Sequence, residues 1–138
     1  MTEPVRVYVD MVGDLFHPGH VAFLKAAREL GDHLVVGVLS DETAASYKRR
    51  PIMTLDERVA VIGACRYVDE VIPDAPDRPT QRFLDEHTLA LVAHGDDLDP
   101  DGAAEVYGPA VATGRLRLIP RTGDVSTTEV IARVLRRQ

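Results

Sequence analysis

Short apolar runs of strand length alternate with amphipathic helical stretches along the whole chain, and this alternation constrains the fold more than any other feature. "VRVYV" (5–9) is β-branched and bounded by Pro4 and Asp10, so it reads as a strand. "VAFLKAAREL" (21–30) puts Val21, Leu24, Ala27 and Leu30 on one stripe, with Lys25, Arg28 and Glu29 outside it. That is an amphipathic helix, stopped by Gly31. "HLVVGVLS" (33–40) is nearly continuously apolar, as in a strand covered on both faces. From Thr54, "TLDE" has the form of a capping box, and Val59 and Ile62 begin the apolar stripe of a second helix. "YVDEVI" then reads as a third strand, "FLDEH" as a short helix and "LALVAHG" as a fourth strand. Residues 103–113 read as helical, "RLRLI" as a fifth strand and "STTEVIARVLRR" as a final helix with a second capping box at Ser126 and Glu129. No linker, repeat or low-complexity stretch interrupts the series. The expected architecture is α/β: one Rossmann-like domain over 1–138, with a doubly wound five-stranded parallel sheet and helices on both faces.

The composition is that of a soluble globular protein, at 45% hydrophobic and 28% charged residues over 138 positions. Sixteen basic against 22 acidic residues give a net charge of -6, which argues against a nucleic-acid binder that grips phosphates without regard to sequence. A local basic pocket for a small anion remains compatible with that balance. "MTEPVRVYVD" has no basic segment leading into an apolar core, and no run approaches membrane-spanning length, so no membrane insertion is expected. The single cysteine, Cys65, lies in "VAVIGAC" and reads as a buried, inert thiol, consistent with a reducing, cytoplasmic setting.

Doubly wound sheets bind ligands at the carboxyl ends of their strands. "DLFHPGH" follows the first strand, "SDE" the second, "HGDD" the fourth and "PRTGDVSTT" the fifth, so four polar clusters are expected on one sheet edge. In "HPGH", Pro18 suits a first helical turn, Gly19 leaves the backbone open to a ligand, and His17 and His20 fall on the same side of the helix start. Two imidazoles at a helix N-terminus can hydrogen-bond phosphate oxygens. A capped turn with two surface histidines is the competing reading, and the spacing disfavours zinc. Lys48, Arg49 and Arg50 form a charge run that reads either as a solvated loop or, through Lys48, as a clamp on a triphosphate. Arg58 stands in the first turn of its helix, where a cation opposes the dipole, a hint that an anion lies nearby. Ser126, Thr127 and Thr128 bring three hydroxyls to another helix start, preceded by Arg121 and Thr122. "HGDD", His94 to Asp97, is an acidic turn or a set of carboxylates that accept from a base's amino group.

"DLFHPGH", "KRRPIMTLDERV", "CRYVDEVIPDAP", "HGDD" and "RTGDVSTTEV", in this order, resemble the cytidylyltransferase family, and the likeness runs from residue 5 to residue 135. "VDEVIPDAP" and "HGDD" are most similar to its phosphoethanolamine branch. The resemblance implies transfer of CMP from CTP to a small phosphorylated alcohol, with release of pyrophosphate. His17 and His20 would contact the α-phosphate, and Lys48 would bind phosphate. Arg121 would lie against the nucleotide, with Ser126, Thr127 and Thr128 on its phosphates. Val12, Gly13, Asp14, Gly19, Arg58 and His94 would help to line the nucleotide site, and Asp96 or Asp97 would read the cytosine amino group. Mg2+ would accompany the triphosphate, held mainly through it rather than by protein ligands. "RYVDEV" resembles the segment through which family members dimerise, so Arg66 and Asp69 would serve a contact in a homodimer; a salt bridge within one subunit is the other reading.

One stretch departs from the family pattern of Gly, any residue, Phe, Asp: this chain has Met11, Val12, Gly13 and Asp14. If the stretch is extended, positions 11 and 13 project the same way, and Met11 fills part of the volume of a Phe at 13. That implies an altered pocket with retained activity. Phosphoethanolamine, a phosphonate such as 2-hydroxyethylphosphonate and glycerol-3-phosphate are the candidate acceptors, and no single acidic residue identifies itself as the partner of an ammonium. An adenylyltransferase using ATP and a non-catalytic nucleotide-binding or dimerisation domain are the competing functions.

Overall fold

A computed structural model describes residues 3–121 and 125–137. Five strands, β1 (Arg6–Met11), β2 (His33–Val38), β3 (Glu70–Pro73), β4 (Leu91–Gly95) and β5 (Leu116–Ile119), form one sheet. The order is β3-β2-β1-β4-β5 and every neighbouring pair is parallel. The order reverses at β1, which pairs with β2 on one side and with β4 on the other. Among the described residues six helices flank the sheet: α1 (Pro18–Arg28), α2 (Asp41–Ala45), α3 (Leu55–Gly63), α4 (Gln81–Glu86), α5 (Pro100–Ala112) and α6 (Thr127–Arg136). The Rossmann-like doubly wound sheet is therefore as the sequence implies. Among the described residues no helix is long and apolar enough to cross a membrane.

Alternation along the strands sorts the core into two layers. Val7, Val9, Leu34, Val36 and Val38 face one side and pack with Leu24 and Ala27 of α1 and Ile62 of α3. Tyr8, Val35 and Val92 face the other and pack with Leu84 of α4 and Tyr107 and Ala110 of α5. Most elements are placed as expected; the short helix α2, capped by Ser40, is additional, and three further details differ. Helix α1 stops at Arg28, so Leu30 lies beyond it and is 38% exposed, outside the buried stripe. The Thr54–Glu57 capping box is complete, whereas at α6 only the Ser126 half forms. There Ser126 Oγ accepts from Glu129 N–H, and the Glu129 carboxylate turns to Arg133 and Arg136 instead. Helix α5 begins at Pro100, capped by Asp99, and breaks its regular geometry at Tyr107, two residues before Pro109. A proline inside a helix removes one N–H and crowds the preceding turn.

Candidate active site

The carboxyl ends of β1, β2 and β4 open into a cleft of about 670 Å³, a size suited to a small-molecule ligand. His17 is the N-cap of α1, and its Nδ1 accepts from Gly19 N–H at 3.0 Å. His20 returns the contact: its Nδ1 accepts from His17 N–H at 3.1 Å. This is a capping box made from two imidazoles, with ring centroids 3.9 Å apart. Because both Nδ1 atoms accept, each neutral ring carries its proton on Nε2. His17 Nε2 donates to Thr127 Oγ1 at 3.3 Å, and the Thr127 hydroxyl donates to the Asp14 carbonyl at 3.1 Å. His20 lines the cleft, and among the described residues nothing accepts from its Nε2. Burial lowers the His20 pKa to about 4, the charges of His17 and Lys48 push the same way, and Asp14 opposes them. Burial lowers His17 as well. The pair therefore presents a neutral N–H donor to the cleft at neutral pH.

The remaining expected residues divide. Lys48, Val12, Gly13, Asp14, His94, Asp97 and Thr127 line the cleft together with His20. Asp96 is exposed and lies off the lining, so of the two carboxylates only Asp97 faces the cleft. Ser126 caps α6, and Thr128 is exposed beside it, accepting from Arg49 at 3.4 Å. Arg121 is exposed and outside the cleft wall, and Thr122 falls outside the described residues.

The geometry corrects two expectations, at Arg58 and Gly13, and adds a structural role to two others, Asp14 and Gly19. Arg58 has no exposed surface and does not reach the cleft. Its guanidinium donates to the carbonyls of Val12 (2.7 Å), Leu39 (2.8 Å) and Met53 (3.2 Å) and pairs with Asp41 at 2.6 Å. The anion that its helix position hinted at is Asp41. Asp14 holds the loop before α3 with both oxygens, accepting from Ile52 and Met53 N–H at 2.9 Å each. Gly19 is needed by the chain itself, since a Cβ there would lie 2.5 Å from the Val125 carbonyl. Gly13 is not extended. Its φ of +68° turns the chain out of β1, and a Cβ there would meet Ile62 Cδ1 at 2.5 Å. Met11 Sδ lies 3.6 Å from that same point, so Met11 does fill space beside Gly13, though not through strand alternation.

Asp69 accepts from Leu34 N–H at 2.8 Å and pairs with Arg28 at 3.0 Å, the intrasubunit role that was the alternative for it. Arg66 lies in a separate shallow groove with Phe16, Val21, Val61, Cys65 and Tyr67.

Sequence reasoning missed Asp10. It is the next-to-last residue of β1, lines the cleft, accepts from the Tyr107 hydroxyl at 2.7 Å, and is pushed up to about 6 by burial. The Tyr107 hydrogen bond and the nearby His94 pull the other way. The signal was available: a carboxylate on the central strand, at the end where such sheets bind ligands. Tyr47, Asp77 and Arg78 also line the cleft.

The family model for cytidylyltransferase-like proteins matches residues 13–133. Ethanolamine-phosphate cytidylyltransferase of Arabidopsis thaliana is 44% identical over 139 residues, covering 96% of this chain and 33% of its own length. Choline-phosphate cytidylyltransferase A of Homo sapiens is 40% identical over 136 residues, covering 96% and 37%. The chain thus spans about a third of the length of these curated relatives. Among solved structures, the lipopolysaccharide core biosynthesis protein from Thermoplasma volcanium GSS1 superposes with a TM-score of 0.70 at 29% identity, over 90% of this chain and 100% of that one. With its match over 13–133 and its two-histidine helix start at the edge of a parallel sheet, the chain belongs to the cytidylyltransferase-like family.

Proposed function

We propose that this chain is a CTP-dependent cytidylyltransferase, transferring CMP to a small phosphorylated alcohol of the phosphoethanolamine kind and releasing pyrophosphate. The observation that carries the reading is the reciprocal His17–His20 capping box, which aims a neutral imidazole donor into a cleft that also holds Lys48. The relatives named ethanolamine-phosphate cytidylyltransferase support the choice of nucleotide and acceptor.

An oxygen of the acceptor's phosphate attacks the α-phosphorus in line. A new P–O bond forms, the bond to the β-phosphate oxygen breaks, and pyrophosphate leaves with the electron pair. Such a reaction needs little covalent help from protein, so positioning and charge stabilisation dominate. His20 Nε2–H donates to the α-phosphate oxygen as charge builds there. His17 fixes the ring of His20 and ties the start of α6 to that of α1 through Thr127. Lys48 adds positive charge beside them, and Asp97 accepts from the cytosine amino group. Among the described residues no group of three His, Cys, Asp or Glu side chains could hold a metal ion. In this reading Mg2+ would enter with the triphosphate and supply screening of its charge.

Asp10 supplies the acceptor partner that sequence could not name: a carboxylate in the cleft, oriented by Tyr107, able to receive an ammonium. The same carboxyl, held up to about 6, also suits a hydroxyl, which keeps 2-hydroxyethylphosphonate as a second acceptor. Both substrates are small and water-soluble, and a cytoplasmic setting belongs to this reading. A homodimer would bury the groove of Phe16, Val61 and Tyr67, with Arg66 at its edge.

Pyrophosphate release with CTP or ATP, against phosphoethanolamine, 2-hydroxyethylphosphonate and glycerol-3-phosphate, tests the assignment. CTP with one of the first two is the expected pair. Turnover with ATP alone overturns the cytidylyl reading, and CTP binding without turnover for any acceptor points to a binding domain.

A further inference from the structure

Three side chains of fixed positive charge line the described part of the cleft: Lys48, Arg49 and Arg78. Arg78 is neutralised by Glu105 at 3.0 Å, and Lys48 lies 5.4 Å from the Tyr47 ring centroid. Arg49 differs from both. Its sequence neighbour Arg50 reaches Asp41 and Glu42, whereas among the described residues Arg49 has no carboxylate within 4.0 Å. Instead it reaches from the loop after α2 to the start of α6, where Nη1 donates to the exposed Thr128 Oγ1 at 3.4 Å. Thr128 directly follows Thr127, the residue bound by His17. One hydroxyl-bearing segment is therefore touched by His17 and, one residue on, by Arg49.

We propose that Arg49 binds the β- and γ-phosphates of the nucleotide and holds the pyrophosphate as it leaves. This rests on the assignment of the cleft to a nucleoside triphosphate. With the α-phosphate at His20, the rest of the triphosphate runs along the Thr127–Thr128 segment toward Arg49. Lys48 is the cation whose charge is felt at His20, so it belongs at the α-phosphate end. A guanidinium offers several donors in one plane, matching two oxygens of a terminal phosphate where an ammonium offers a point charge. As the bond from the α-phosphorus to the bridging oxygen breaks, its electron pair adds negative charge to the pyrophosphate. Arg49 meets that charge without giving up a proton.

The test uses the whole chain and two substitutions, Arg49→Gln and Arg49→Lys, with Arg50→Gln as the control. Calorimetric titration with CTP and CMP is combined with pyrophosphate inhibition of turnover. Arg49→Gln is expected to weaken CTP binding and pyrophosphate inhibition by about tenfold or more, and to leave CMP affinity within about twofold. Arg49→Lys recovers part of the loss, and Arg50→Gln matches the wild type. Equal losses for CTP and CMP, or no loss for CTP, overturn the proposal. If the wild type binds ATP rather than CTP, the cytidylyl reading fails on the wild type alone. The ratio of ATP to AMP affinity in the variant then decides the role of Arg49. A wild type that binds neither triphosphate nor pyrophosphate overturns both.

Discussion

His17 and His20 share a motif but do different work, and substitution separates them. His17 caps α1 through Gly19 and reaches Thr127, so His17→Ala removes a helix cap and a link to α6. A loss of about 1 kcal/mol in urea unfolding is expected, together with lowered kcat. His20 points its free Nε2 into the cleft, so His20→Ala should leave the fold in place and lower kcat by about 10²–10³-fold. Global unfolding of that variant would make His20 structural. Gly13 carries a separate prediction. Its φ of +68° and the Ile62 Cδ1 at 2.5 Å make Gly13→Ala cost about 1–3 kcal/mol. Ile62→Val deletes that one carbon, so the double variant should lose less than the sum of the singles, leaving only the backbone part. The histidines were legible because their turn, ambiguous alone, fell on the same sheet edge as three other polar clusters. Asp10 and Tyr107 were not, because the contact joins residues 97 apart and Tyr107 stands where α5 departs from helical geometry. Arg58 was half legible: its position in the helix implied an anion, but spacing could not say whether that anion was a ligand or Asp41.

The same arginine explains how elements are held at the site. Its guanidinium joins the chain just beyond β1 at Val12, just beyond β2 at Leu39, the loop at Met53 and the first residue of α2. Asp14 grips the same loop from the other side through Ile52 and Met53. Two buried groups thus fix the strand ends from which the cleft is built. Arg58→Met leaves two strand-end carbonyls and Asp41 without their donor, and is expected to cost about 3–5 kcal/mol in urea unfolding. Arg58→Lys keeps the charge but not the fork, and should recover only part of it. A loss under about 1 kcal/mol for Arg58→Met would show the clamp to be dispensable. The alternation of strands and helices was readable because apolar periodicity spans five or more residues in most elements. Helix α2 escaped because five residues, Asp41–Ala45, are too few to show a period, and "SDE" reads as a turn. The true start of α5 escaped because Asp99 and Pro100 look like loop chemistry until the Asp99 carboxylate is seen to cap Gly102 N–H at 2.7 Å.

At the scale of the molecule, the proposed homodimer predicts that Val61→Lys, which puts a charge in the groove with Phe16 and Tyr67, halves the mass seen by light scattering without unfolding the chain. A wild type that is already monomeric removes that interface. Stability against pH couples the cleft to the whole fold through two opposed groups. Asp10 rises from 3.8 to about 6 on folding, so the native state holds more protons than the unfolded one between those values. Its contribution is greatest below pH 4 and is lost as pH rises through 6. His20 falls from 6.5 to about 4, and His17 shifts the same way, so the native state there holds fewer protons. Their contribution grows as pH rises from 4 to 6.5 and is lost as pH falls through that window. The wild type should therefore show a shallow pH dependence between 4 and 6.5, because the two slopes offset one another. Asp10→Asn keeps an acceptor for Tyr107 and removes the falling slope. Its stability should climb steeply with pH and exceed that of the wild type at pH 7 by on the order of 2 kcal/mol. His20→Ala removes the main rising slope, so its stability should instead decline over the same range. Urea unfolding of the three proteins at pH 4, 5, 6 and 7 separates these cases, and parallel curves for Asp10→Asn and the wild type would mean that folding leaves the Asp10 pKa unchanged, so that the carboxylate is fully charged at neutral pH.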